Sequence, residues 1–174
     1  ISMLLGLLAM PVCAQTVSQP ALMGRWMCLT TYEGTSSTSK TVDILDFKEN
    51  QMVTDINNVK FYVPADSTDL ALPFEYKVQG SGKWHLTGKE LVLDLSKEAI
   101  HRNHADVVQK LLQKSSSARD IDEQLYQILM ADKQQKLIFR IDSMAKDAMS
   151  MTQSDTGTPT LCRKVDHRVS DHLP

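Results

Sequence analysis

Between Leu22 and Leu95 the chain alternates apolar and polar residues over short runs separated by turn-forming residues, and this pattern constrains the fold more than any other feature. The clearest run is Phe74-Glu75-Tyr76-Lys77-Val78-Gln79, whose period of two marks a strand with one dry face. Trp84 and Leu86 face Leu91, Leu93 and Leu95 across Thr87-Gly88-Lys89, which reads as a hairpin. Further strands are expected at Leu22–Tyr32, Thr41–Phe47, Leu137–Asp142, Ala145–Thr152 and Thr160–Lys164. Met52–Val63 reads as two strands around Asn57-Asn58, or as one strand with a bulge. Pro64–Pro73 is expected as a loop, and Gly80-Ser81-Gly82 as a turn.

After Ser96 the period changes to about 3.6. Val107, Val108, Leu111 and Leu112 make one stripe and Ile121, Leu125, Ile128 and Leu129 a second, so residues 104–131 read as an inserted pair of helices. The count comes to roughly eight or nine short strands. If Leu22–Leu29 pairs with Thr160–Lys164, the sheet has no unpaired edge. The expectation is therefore a mainly β protein, a closed antiparallel barrel over residues 22–164, with a polar leader at 15–21 and a flexible tail at 165–174.

Residues 1–14 hold no charged side chain and end in Val12-Cys13-Ala14, the pattern of a secretory signal cut before Gln15. The run is too short for a bilayer span, which needs roughly 20 apolar residues. Acylation at Cys13 is disfavoured by Pro11 and Val12 beside it. The expected location is the periplasm or the extracellular space, with no transmembrane anchor after cleavage. Cys28 and Cys162 then remain in an oxidising compartment, where a disulfide and two buried thiols are both open readings.

Gly24-Arg25-Trp26 at the head of the first strand, the series of short antiparallel strands and Leu161-Cys162-Arg163 in the last resemble the lipocalin-like (calycin) barrel of small exported bacterial domains. In that family the tryptophan plugs one end and an arginine of the last strand lies across it. The resemblance thus implies Gly24, Trp26 and Arg163 as a structural set. An insert between barrel strands departs from the family's order, where the main helix follows the last strand. Strand parity also sets two implications against each other. Trp26 and Cys28 share a face, whereas Cys162 and Arg163 do not, so a Cys28–Cys162 bond and an Arg163–Trp26 contact need a bulge to coexist.

A formal net charge of −2 supplies no footprint for nucleic acid. No Gly-x-Ser-x-Gly, Walker-type loop or His-Glu-x-x-His motif occurs, so no enzymatic activity and no cofactor are expected. His101 and His104 read as polar residues entering a helix, His85 as an outward strand residue, and His167 and His172 as tail residues, which argues against a metal site. Asp120, Asp122 and Glu123 read as a solvated helix face, and Asp43 and Asp46 fall on opposite strand faces. Met144, Met149 and Met151 are read as core rather than as pocket lining. The leading reading is an exported lipocalin-like protein holding a small apolar or amphipathic ligand against Phe74, Tyr76, Val78, Trp84 and Leu86. The alternative is a ligand-free barrel that contacts an envelope or extracellular protein, as an inhibitor or assembly module.

Overall fold

A computed structural model describes residues 17–34, 37–65 and 68–166. The signal-peptide reading for 1–14, and His167 and His172, lie outside the described residues. Eight strands run in chain order: β1 Gly24–Glu33, β2 Thr38–Phe47, β3 Met52–Ala65, β4 Thr68–Thr87, β5 Glu90–Arg102, β6 Gln134–Met144, β7 Ala148–Gln153 and β8 Pro159–Lys164. Each pairs antiparallel with the next, and β1 pairs with β8, so the sheet closes into a barrel. Helix α1 (Gln19–Leu22) precedes the barrel, and α2 (Asp106–Lys114) and α3 (Ser116–Ala131) lie between β5 and β6.

The start of β1, the end of β2 and the β4–β5 hairpin form the floor. Here the inward residues are large and apolar: Trp26, Phe47, Val53, Trp84, Leu91 and Ile141 are each essentially buried. The four-residue α1 seals this end from below. Leu22 is fully buried, and its carbonyl oxygen accepts from Trp26 Nε1 at 2.7 Å. Gly24 opens β1 at φ 100°, a left-handed backbone that a side chain would strain. At the opposite end, the mouth, β3 and β4 run on together, and α2 and α3 cover Phe74 and Tyr76 in a second core with Val108, Leu125 and Tyr126. Met149 and Met151 belong to the floor core, with Met144 packed at its edge.

The structure corrects several local expectations. Asn57-Asn58 and Gly80-Ser81-Gly82 are not turns: both lie inside continuous strands, the second beside a register shift between β4 and β5 at Gln79/Gly80. The glycines serve a close approach instead. A Cβ on Gly82 would overlap the carbonyl oxygen of Asp94 on β5, so only glycine lets the two strands come together there. Gly82→Ala is expected to cost about 1–3 kcal/mol in urea denaturation, the range for forced overpacking. Pro64–Pro73 is not one long loop, because β3 runs to Ala65 and β4 starts at Thr68, paired through Val63↔Leu72 and Ala65↔Thr68. Residues 145–147 form the β6–β7 connection, and β7 starts only at Ala148.

Candidate functional site

The β1–β8 register decides between the two implications that parity set apart. Cys28 lies opposite Cys162, and the two form a disulfide. The same register places Trp26 opposite Lys164 and Met27 opposite Arg163. Lys164 Nζ sits 5.2 Å from the centre of the Trp26 ring, a cation–π contact, and reaches the Ala21 carbonyl oxygen at 3.4 Å. Arg163 is exposed on the outer face. The implied Arg163–Trp26 pair is therefore replaced by Lys164–Trp26, with no bulge needed.

The five residues expected to line a ligand pocket are also redistributed. Trp84 and Leu86 pack in the floor core, where the Trp84 ring meets Phe47 edge-on at 5.4 Å. Phe74 and Tyr76 are buried beneath the helices. Of the five, only Val78 lines a mid-barrel cavity of about 250 Å³, together with Phe61, Leu95, Leu129 and a set of polar residues. A smaller space of about 50 Å³ continues it towards the floor, sharing Tyr32, Thr41, Asp55 and Asn57 and adding Asp43.

This polar belt follows from strand phase. In β3, Val53, Asp55, Asn57, Val59 and Phe61 share one parity and so one face, and the pairings Leu45↔Asp55 and Asp43↔Asn57 carry that face across β2. Inside the belt, Thr30 and Thr160 share a hydrogen bond at 2.8 Å. Tyr32 donates to Gln153 Oε1 at 2.9 Å and Thr41 to Asp43 Oδ2 at 3.0 Å. Asp55 Oδ1 and Asn57 Oδ1 are buried with no hydrogen-bond partner among the described residues.

Burial disfavours charge here. It pushes the Asp43 carboxyl up to about 7, against the pull of the Thr41 hydroxyl, and raises Asp55 well above the carboxylate range with help from the Asp43 charge. Burial, and behind it the negative charges of Asp43 and Asp155, raises the Tyr32 phenol to about 12. In the unfolded chain the two carboxyls ionise near 4. The folded protein therefore binds more protons between about pH 4 and 7, and its stability falls as pH rises through that window. Asp43→Asn is expected to raise stability by roughly 2 kcal/mol at about pH 8 and to change little near pH 4, measured by urea denaturation at both.

At the mouth, Asp122 is no solvated helix residue. It is buried, accepting from Tyr76 Oη at 2.6 Å, His104 Nε2 at 2.8 Å and Arg102 Nε at 2.8 Å. His104, read as a polar residue entering a helix, does precede α2 but is buried: Glu75 N–H donates to its Nδ1 at 3.0 Å, which leaves the ring proton on Nε2 for Asp122. Burial would raise the Asp122 carboxyl, but the hydrogen bonds from Tyr76, Arg102 and His104 outweigh it and hold the group below its ordinary value. Arg102 also reaches Glu123 at 2.6 Å and stacks 3.9 Å above the Tyr126 ring. The network fastens α3 to β4 and β5 at the rim of the cavity.

No protein-family model matches the chain, and no curated protein matches it. The site must accordingly be read from its own geometry. Among the described residues, no group of three or more His, Cys, Asp or Glu side chains is placed to hold a metal, and no helix is long and apolar enough to cross a membrane.

Proposed function

We propose that this chain is an exported, lipocalin-like binding protein, a carrier and not a catalyst, that holds a small amphipathic ligand inside its barrel. The observation that carries the reading is the mid-barrel cavity of about 250 Å³, left between a solid floor and a helical cover. Its lining combines apolar side chains, Val59, Phe61, Val78 and Leu129, with polar ones, Asp55, Asn57, Gln135 and Gln153. A molecule with a polar and an apolar end offers partners to both sets, whereas a purely apolar one leaves the buried acceptors unpaired. The Cys28–Cys162 bond supports an oxidising compartment. The test is a thermal-shift and native mass-spectrometry screen of six- to ten-carbon alcohols, acids and amines. A saturable rise in melting temperature with one-to-one binding is expected, and no stabilisation by any class at saturation would count against the reading.

A second reading, in which the barrel contacts another protein, is favoured by one feature of the outer surface. Met27, Leu29, Val42, Met144 and Leu161 line an external groove of about 680 Å³, in which Leu29 is 50% and Leu161 65% exposed. Leu29→Lys with Leu161→Lys separates the readings, because both side chains point away from the cavity. Loss of a partner with ligand binding retained supports the second.

A further inference from the structure

The polar belt is specific about the chemistry that would satisfy it. Its two buried orphans, Asp55 Oδ1 and Asn57 Oδ1, are both acceptors when Asp55 is ionised. The hydroxyls of Tyr32, Thr41, Thr30 and Thr160 are already engaged with Gln153, Asp43 and one another. None of the described side chains donates to either orphan.

The belt also lacks positive charge. Asp43 and Asp55 project from adjacent strands into one enclosed space. The titratable groups lining this space are Tyr32 on β1, Asp43 on β2, Asp55 on β3 and Lys97 on β5; the other strands and α3 contribute only uncharged side chains such as Val78, Gln135, Gln153 and Leu129. Lys97 is held at the rim, where its Nζ donates to the Leu129 carbonyl oxygen at 3.1 Å. Two carboxylates and an amide oxygen would leave a hard metal ion to keep several waters, for which the space of about 50 Å³ beside them has little room. They suit an ammonium, which offers three donors and one charge on a compact head.

Resting on the barrel-cavity reading, we infer that Asp43, Asp55 and Asn57 form a recognition site for the protonated head of a small monoamine. The ammonium sits in the polar belt and the hydrocarbon or aromatic body lies against Phe61, Val78 and Leu129. At about 30 Å³ for each water-sized group, the cavity takes a ligand of roughly eight to ten non-hydrogen atoms. Binding charges the carboxyls it meets, so it releases protons and strengthens as pH rises through neutrality.

The experiment compares hexylamine, hexanol and hexanoate, three heads on one body, by calorimetry and thermal shift on the oxidised protein at about pH 8 and about pH 5. At the higher pH hexylamine is expected to bind at least tenfold more tightly than the other two, and to lose at least tenfold on going to the lower, where the amine stays charged but the carboxyls are protonated and neutral. Asp43→Asn and Asp55→Asn should each weaken hexylamine tenfold or more and leave hexanol within a factor of about three. Both variants remove a buried charge, so they are expected to fold, and near-ultraviolet circular dichroism verifies it. Hexanol binding as well as hexylamine, or hexylamine affinity unmoved by either variant, would overturn the amine site and leave the carrier reading standing. Displacement of hexylamine by millimolar calcium or magnesium would overturn it in favour of a metal site. Failure of all three probes would remove the carrier reading itself.

Discussion

Replacing both Cys28 and Cys162 with alanine is expected to lower stability by up to about 5 kcal/mol, the chain-entropy value for a crosslink spanning 134 residues. The bond joins the first and last strands at the seam where the barrel closes, so it ties together parts of the chain that otherwise meet only after every other strand is in place. Five residue pairs hold β1 to β8, from Trp26↔Lys164 to Thr30↔Thr160. Residual structure in the unfolded chain reduces the effect, and a loss of about 3 kcal/mol still fits. Urea denaturation of the oxidised protein, of the protein in excess reductant and of the double variant checks the expectation. The latter two should agree within about 1 kcal/mol, and a variant as stable as the oxidised protein would show that pairing alone holds the seam.

Asp122→Ala is expected to cost about 3–5 kcal/mol, because one deletion strips partners from three buried or half-buried donors at once. Tyr76 Oη, His104 Nε2 and Arg102 Nε all converge on this carboxylate, and Arg102 would keep only its more exposed partner Glu123. Asp122→Asn, which retains one acceptor oxygen, should lose less. Hydrogen exchange distinguishes this from a general weakening: α2, α3 and the mouth half of β4 should lose protection while the floor strands keep theirs. Uniform loss over the whole barrel would mean that the network supports the entire fold and does not merely fasten the cover.

Period-two alternation sufficed for the β4–β5 hairpin, because there one face is apolar and the other mostly polar. It failed where the inside of the barrel is itself polar. Asp55 and Asn57 carry no hydrophobic signal, and Asn57-Asn58 imitates a turn. The signal that was available lies in phase: Val53, Val59 and Phe61 are of the same parity as Asp55 and Asn57, so a strand continued without interruption places all five on one face. Gly80 and Gly82 misled for a related reason, since glycine marks both turns and close strand contacts, and sequence spacing does not tell the two apart. Asp122 was hidden by its neighbours Asp120 and Glu123, which do face solvent; Asp122, Tyr126 and Leu129 make a second helical stripe, offset by one residue from the one that was read. Strand parity does keep Arg163 off Trp26 once Cys28 meets Cys162, and the cation that reaches the ring is the next residue along, Lys164.

Because β1 begins and β8 ends beside Trp26, the two strands leave the barrel at its plugged end, opposite the helix-covered rim. A solid support joined directly to the start of β1 or the end of β8 thus meets the plugged pole of the barrel. Coupling at that pole leaves α2 and α3, at the far end, turned towards solution.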